Sequence, residues 1–297
     1  MIISVNKKIS NSLIGGMEKT MEKQHVTQSQ KLMVFVLTMS LYGLATLFTE
    51  LIPKFNVGII EFSVEYFLFI PLTLAMLFDP ISAALGASTG ELVFSEIMLG
   101  QFGGLGELEK FITVAIGVYI AGRLVRNPKN RKMVGIAAMA GTSIQLILGA
   151  IVDICKVQFA VEEFEAVEGL PQSVFFTEGF ACLNDICFSG VLFCLLPTLY
   201  LVPKLYGKIE PLLGMAPRTE KTAMDPINGK VVITCAVAFL VAVLAEMAAE
   251  SGFELIDWEA GWAESGPAFA VGMVVAAAIA IIAILVMKKN SERVAES

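Results

Sequence analysis

Residues 133–155 read MVGIAAMAGTSIQLILGAIVDIC, and Asp153 is the only charged residue among them. A helix needs about 20 mainly apolar residues to cross the roughly 30 Å hydrocarbon core of a bilayer. This stretch therefore predicts a membrane-spanning helix, and similar stretches follow or precede it along the chain. The predicted spans, eight in all, cover residues 32–50, 59–78, 81–99, 108–125, 133–155, 174–201, 231–249 and 267–287.

The composition of the whole chain points the same way. Of its 297 residues, 56% are hydrophobic and only 16% are charged, whereas a soluble domain of this size needs a charged surface. No stretch alternates with the period of two residues that is typical of a membrane β-barrel. We therefore predict an all-α, polytopic membrane helix bundle of about eight transmembrane helices, located in the cell membrane.

The lysine and arginine residues predict the orientation. If both termini face the cytoplasm, all but three of the 21 lysines and arginines lie on the inner side, the exceptions being Lys54, Lys110 and Lys156. Inner loops of membrane proteins carry an excess of these residues. The partition predicts that the N-terminus and the C-terminus are both inside, which requires an even number of spans.

The spans divide the chain into five predicted segments. Residues 1–30 form a cytoplasmic polar leader, and residues 31–202 form a six-helix membrane core. Residues 203–230 form a cytoplasmic linker, residues 231–289 an additional transmembrane hairpin, and residues 290–297 a cytoplasmic tail. The hairpin could be an accessory element or a dimer contact.

Several kinds of chemistry lack the residues that they need. The five cysteines show no CxxC spacing, and the single histidine, His25, lies in the polar leader, which argues against a disulfide framework, a zinc site and a histidine-dependent hydrolase. The GxxxxGK[ST] pattern of a nucleotide-binding loop is also missing from the sequence. We predict a protein that is not an enzyme and that has no cofactor, no metal site and no nucleic-acid partner.

Acidic side chains within the predicted helices suggest a site. An ionised side chain at the centre of a membrane helix costs about 2.5–3.5 kcal/mol on insertion scales, so it needs a partner, a proton or water. With the predicted orientation, these acids all lie at mid-depth or in the outer half of the membrane. The predicted solute-binding residues are Glu61, Glu65, Tyr66, Glu91, Glu96, Gln145, Asp153, Glu178, Asn184 and Asp185.

Some of these residues also have a purely structural interpretation. Asp153 could be the ion-pair partner of Lys156, and Glu61 and Glu65 could reach water at the headgroups. The stripe Gly141, Gln145, Gly149 and Asp153 could serve close helix packing as well as a polar site. Two further patterns predict structure alone: an N-cap at Asp79 before Pro80, and a small-residue face at Ser82, Gly86 and Gly90.

Aromatic residues accompany the acids near the outer ends of the second and sixth predicted helices. Aromatic rings can stack on a flat ligand or on a cation, although such residues more often pack in a core or at the membrane interface. The residues are Tyr66, Phe67, Phe69, Phe175, Phe176, Phe180 and Phe188, and Trp258 and Trp262 resemble interface anchors. A pocket both acidic and aromatic would suit an organic cation.

Residues 32–201 combine four further features: Phe78-Asp79-Pro80 before the small-residue stretch 81–90, the loop 100–107, glycines 117 and 122 in the fourth helix, and Asn184 in the sixth. With them, the segment resembles the substrate-binding S component of energy-coupling factor (ECF) vitamin transporters. The resemblance implies a six-helix protein that binds a micronutrient near the outer face. It also implies an ECF coupling subunit and ATPases as partners.

Two functional hypotheses follow. The first is a membrane solute-uptake subunit that binds a small cationic or amine-bearing micronutrient in an outer-half acidic and aromatic cavity and is energised by partner ATPases. The alternative is a proton- or ion-coupled secondary transporter or channel that uses the same carboxylates, which would need an inner pathway as well.

Overall fold

The computed structural model describes residues 26–64, 66–159, 161–164, 167, 169–220, 227–251 and 274. Four predictions lie outside these residues: the leader up to residue 25, the tryptophans at 258 and 262, the eighth span at 267–287 apart from Val274, and the tail at 290–297. Glu65 lies outside them as well.

The described residues form a helical bundle with one β-hairpin. The helices are α1 (Gln28–Thr49), α2 (Phe69–Leu77), α3 (Pro80–Glu91), α4 (Glu107–Leu124), α5 (Arg131–Gln158), α6 (Val174–Leu205) and α7 (Gly229–Glu250), and the strands are β1 (Phe55–Val57) and β2 (Ile60–Phe62). Two π-helical segments, Leu92–Ile97 after α3 and Ile186–Leu195 within α6, and two 3-10 turns, Gly104–Gly106 and Pro211–Leu213, complete the elements.

Four of these helices, α1, α5, α6 and α7, are long and apolar enough to cross a membrane. Their bounds differ by only a few residues from the predicted spans 32–50, 133–155, 174–201 and 231–249. The prediction of a helical bundle with helices suited to cross a membrane is confirmed for this part of the chain. The number of eight spans and the orientation stay predictions.

The predicted helix at 59–78 is wrong over its first part. Residues 60–62 form β2, which pairs antiparallel with β1 so that Val57 faces Ile60 across a turn at Gly58, whose φ is +65°. The helix that follows, α2, has only nine residues, about 13 Å at 1.5 Å per residue. Its residues Pro71–Leu77 are all buried, so this run is apolar because it lies inside the protein.

Small residues bring α1 and α3 into direct backbone contact. A Cβ atom placed on Gly86 would lie 2.4 Å from the carbonyl oxygen of Phe35, and one on Gly90 would lie 2.4 Å from that of Met39. Helix α3 has the predicted N-cap, because the Asp79 carboxylate accepts a hydrogen bond from the backbone N–H of Ser82 at 2.9 Å. The small-residue face is therefore confirmed as a packing surface.

The bundle has two chemically different ends. The acidic end contains the C-termini of α1, α5 and α7 and the N-termini of α4 and α6, and the basic end contains the opposite termini. Among the described lysines and arginines, Lys54, Lys110 and Lys156 lie toward the acidic end, and the others lie toward the basic end. A fully buried apolar layer that includes Leu72, Val118 and Ala138 lies between the two.

A buried arginine fixes the segment after α6 to the basic end. Arg218 is 4% exposed, and its guanidinium donates hydrogen bonds to the carbonyl oxygens of Ala75 at 2.8 Å and Gly122 at 3.0 Å, near the C-termini of α2 and α4. A cation is favourable there because helix C-termini carry partial negative charge. Burial lowers the pKa of Arg218 to about 10, so the group stays charged at neutral pH.

Replacing Arg218 with methionine is expected to loosen this segment. The carbonyls of Ala75 and Gly122 would lose their donors inside the protein, which costs about 1–3 kcal/mol. We expect a lower unfolding temperature and faster trypsin cleavage after the exposed Lys208. Arg126→Met, at an exposed arginine of the same end, should change neither, and equal effects of the two variants would contradict the assigned role.

Candidate functional site

A cavity of about 520 Å³ opens at the acidic end of the bundle. This volume lies within the range of about 300–1,000 Å³ that is typical of small-molecule sites. Helices α3, α4, α5, α6 and α7 all contribute to its wall. The charged residues that line it are Glu91, Glu107, Glu109, Lys110, Asp153, Lys156, Glu178, Asp185, Glu246 and Glu250.

The predicted site residues divide between this cavity and other places. Tyr66, Glu91, Gln145, Asp153, Glu178 and Asp185 line the cavity. Glu96 is absent from the lining but pairs with Lys110, which lines the cavity, and Asn184 lines a neighbouring pocket of about 300 Å³ together with Lys54 and Thr177. Glu61 lies in β2 opposite Asn56. The structure therefore brings six of the ten predicted residues together and places Glu96 and Asn184 outside the cavity lining; a role in solute binding stays a prediction.

Glu91 and Gln145 form the deep wall of the cavity. Glu91, the last residue of α3, is 7% exposed, and the hydroxyl of the fully buried Tyr42 donates a hydrogen bond to its Oε2 at 3.3 Å. Gln145 on α5 is 5% exposed, and its Oε1 has no hydrogen-bond partner in the described part of the chain. A buried acceptor without a donor is costly, so a donor on a ligand would satisfy it.

Lys110 belongs to an ion-pair cluster between α4 and the π-helical segment that follows α3. Its Nζ lies 3.0 Å from Glu96 Oε1 and 3.6 Å from Glu107 Oε2. The backbone N–H of Gly103 donates to the other oxygen of Glu107 at 3.1 Å. Glu96, which was predicted to contact the solute, therefore forms an ion pair with a lysine of the protein itself.

Lys156 forms a second cluster that joins α5 to α7. Its Nζ lies 3.2 Å from Asp153 Oδ1, 3.2 Å from Glu162 Oε2 and 3.6 Å from Glu246 Oε1. The ion pair of Asp153 with Lys156, considered from the sequence as an alternative to a site role, is present. Asp153 also lines the cavity and is about half-exposed, so both interpretations of this residue apply.

Helix α7 closes one side of the cavity. Its last turns supply Glu246, Ala249 and Glu250 to the wall. The helix approaches the start of α4 closely, since a Cβ on Gly106 would lie 2.7 Å from Glu246 Oε2. The segment described from the sequence as an additional hairpin therefore takes part in the site.

Two helices, α3 and α6, change their winding directly after a predicted carboxylate. The π-helical segment Leu92–Ile97 begins directly after Glu91, and the segment Ile186–Leu195 begins directly after Asp185. π-Helical turns inside α-helices often occur at functional sites. The two changes in winding occur at the wall of one cavity.

A protein-family model matches residues 33–296 of the chain, which is most of its length. The description of that family is a family of unknown function, DUF8171. The chain belongs to this family. No curated protein and no solved structure matches the chain, so the resemblance to ECF S components stays a prediction.

In this DUF8171 member, most of the aromatic residues near the predicted pocket lie outside the cavity lining. Of the aromatic residues proposed, Tyr66 lines the acidic cavity and Phe180 lines the smaller pocket. Phe67, Phe69 and Phe188 pack edge-to-face with one another or with Phe193. Phe175 and Phe176 are about 60% exposed. These rings hold the bundle together or face its surroundings.

The glycine stripe of α5 serves both of the purposes considered from the sequence. Its lower end packs, because a Cβ on Gly141 would lie 2.6 Å from the carbonyl oxygen of Gly117 on α4. Its upper residues, Gln145, Gly149 and Asp153, line the cavity. The stripe therefore positions α5 against α4 and then continues as the polar wall.

Sequence reasoning missed several charged residues of the wall. They are Glu107, Glu109, Lys110, Lys156, Glu246 and Glu250. Each lies at a helix end that was assigned to the outer side, so a census of all charges at those ends would have included them. Among the described residues, no group of three or more His, Cys, Asp or Glu side chains could hold a metal ion.

Proposed function

We propose that the protein is an integral-membrane solute-uptake subunit whose cavity binds a small cationic or amine-bearing micronutrient. One observation carries the proposal: eight carboxylate side chains and two lysines line a single cavity of ligand size. Like charges gathered in a space of low dielectric constant repel one another. A cationic ligand would relieve that repulsion.

The arrangement of the lysines supports a cation rather than an anion as the ligand. Lys110 is held between Glu96 and Glu107, and Lys156 contacts three carboxylates. An anionic ligand would have to displace these carboxylates and then face the remaining ones. The cavity therefore favours positive charge although it contains two cations of its own.

The depth of Glu91 supports the same proposal. Glu91 is the twelfth residue of α3, counted from Pro80 at the basic end, and eleven steps of 1.5 Å place it about 16 Å from that end. In a bilayer with a hydrocarbon core about 30 Å thick, this is near the middle. Ionisable residues at that depth typically face a cavity and mark the path of a substrate or ion.

The layer beneath the cavity favours a binding subunit over a channel. Val118 on α4 and Ala138 on α5 are fully buried below the residues that line the cavity, and Arg218 anchors the following segment at the basic end. Passage to the inner side would then need a conformational change. An ECF-type coupling subunit with ATPases, as the resemblance implies, would supply it.

The proposal is tested by titrating purified protein in nanodiscs with amines and carboxylic acids of similar size, using calorimetry. We expect binding by amines, weakened by salt, and none by the acids. Binding by the acids alone would contradict the proposal. Solute flux into sealed vesicles that contain this protein without ATP or partners would instead favour the secondary transporter.

Replacing Lys110 with glutamine is expected to strengthen amine binding severalfold. The change removes a competing cation and frees Glu107, which lines the cavity, from its ion pair. Lys208→Gln, at an exposed lysine of the basic end, is the matched control and should leave the dissociation constant unchanged. Weaker binding by the Lys110 variant alone would show that the lysine holds an anionic group of the ligand.

A further inference from the structure

The polar groups of the cavity lie at two levels along its depth. On α5, Gln145 marks the deep level and Asp153 the shallow one, and eight residues at 1.5 Å each separate them by about 12 Å. On the antiparallel α6, Asp185 is deep and Glu178 is shallow, about 10 Å apart by the same rise. All four residues line the cavity, which is therefore longer than a single ammonium group.

The deep level has a demand for a cation and for hydrogen-bond donors. Glu91 is accompanied by the Tyr42 hydroxyl, and within the described ranges no lysine or arginine lies within ion-pair distance of it. The buried Gln145 Oε1 lacks a donor. An ammonium group carries one positive charge and three N–H donors, so it would serve both residues.

The shallow level has a similar demand that Lys156 does not meet. Lys156 contacts Asp153, Glu162 and Glu246. Glu109 and Glu178 also line the cavity near this level, and neither makes an ion pair with another residue that the structure describes. A second ammonium group would find two carboxylates here.

On α5 and α6, apolar side chains lie between the two levels. Leu146 and Ala150 on α5 and Ala181 on α6 line the cavity between the deep and shallow residues. Such a surface suits methylene groups, each of which contributes about 0.8 kcal/mol when it is buried. A cation site at each level, with these apolar side chains between them, matches an alkyl chain with an amine at each end.

We propose that the cavity takes a linear diamine or polyamine, with one ammonium group at Glu91 and Gln145 and another at Glu109 and Glu178. This inference rests on the proposed function and specifies its substrate class. The ligand enters with its alkyl chain along α5 and α6, and the protein's own Lys110 and Lys156 stay in their ion pairs.

The test compares three probes on the purified protein in nanodiscs by calorimetry: 1,4-diaminobutane, spermidine and 1-aminobutane. We expect at least one of the two polyvalent amines to bind about a hundredfold more tightly than 1-aminobutane. If 1-aminobutane binds as tightly as both, the polyamine inference is overturned and the proposed cation function stands. If none of the amines binds, both fall.

Substitutions at the shallow level test the second ammonium site separately from the deep one. Glu178→Gln is expected to reduce the preference for the polyvalent amine over 1-aminobutane about tenfold, because the monoamine can occupy the deep level alone. Glu109→Gln tests the same level should the first variant not fold. Glu220→Gln, at the basic end beside Asn127, should leave the preference unchanged. An unchanged preference in both shallow-level variants would overturn the assignment of the second ammonium site.

Discussion

Glu91→Gln is expected to weaken amine binding at least tenfold, which corresponds to about 1.4 kcal/mol. The carboxylate is 7% exposed and faces the cavity, so a cation bound there interacts with it through little water. Hydrogen bonds to charged groups contribute about 1.5–3 kcal/mol. The amide keeps the size and an acceptor for the Tyr42 hydroxyl but removes the charge. We expect Asp185→Asn to act in the same direction.

The variant should remain folded, because a neutral amide is less costly to bury than an ionised carboxylate. Calorimetric titration with the tightest-binding amine measures the loss, and the unfolding temperature reports on the fold. Glu220→Gln provides the same chemical change at an exposed position of the basic end. Unchanged affinity in a folded Glu91 variant would remove this residue from the site.

Gly86→Ala is expected to destabilise the bundle by about 3 kcal/mol, at the upper end of the usual 1–3 kcal/mol for overpacking. The new Cβ would lie 2.4 Å from the carbonyl oxygen of Phe35 and 3.1 Å from Cβ of Thr38. The Phe35 oxygen belongs to the backbone and cannot rotate away, so α1 must move away from α3. Denaturation of the purified protein in detergent measures the change.

Gly179→Ala on α6 is the control for that experiment. A Cβ at this helical position would meet nothing within 4 Å among the described atoms. Alanine is intrinsically the better helix former by about 1 kcal/mol, so this variant should be as stable as the wild type or slightly more stable. Equal loss of stability in the two variants would contradict the close contact of α1 with α3.

Most helix bounds could be predicted because they depend on local chemistry. Asp79 and Pro80 begin α3, and Gly86 and Gly90 identify its packing face. The hairpin and the short α2 could not be predicted in the same way, because a run such as Phe69–Leu77 is equally apolar whether protein or lipid covers it. The length of the helix would have distinguished a buried helix from a membrane span. In the sequence, the apolar residues of β2 lie shortly before α2 and make the apolar run look long enough to span.

The carboxylates of the candidate site could be predicted in part from the sequence. Carboxylates such as Glu91, Glu178 and Asp185 stand out because a charge within an apolar helix needs a partner or water. Which carboxylates meet is a tertiary property, so the contribution of Glu246 on α7 was missed. For Glu96 the partner turned out to be Lys110, a residue of the protein itself.

Native mass spectrometry of the protein purified from its own membrane tests the central claim most directly. The measurement compares the small molecule retained by the wild type with that retained by Glu91→Gln. The account predicts a bound molecule that carries at least one amine or other cationic group and that is lost or depleted in the variant. A bound acid or neutral molecule, or an equal amount of the same molecule in both proteins, would contradict it.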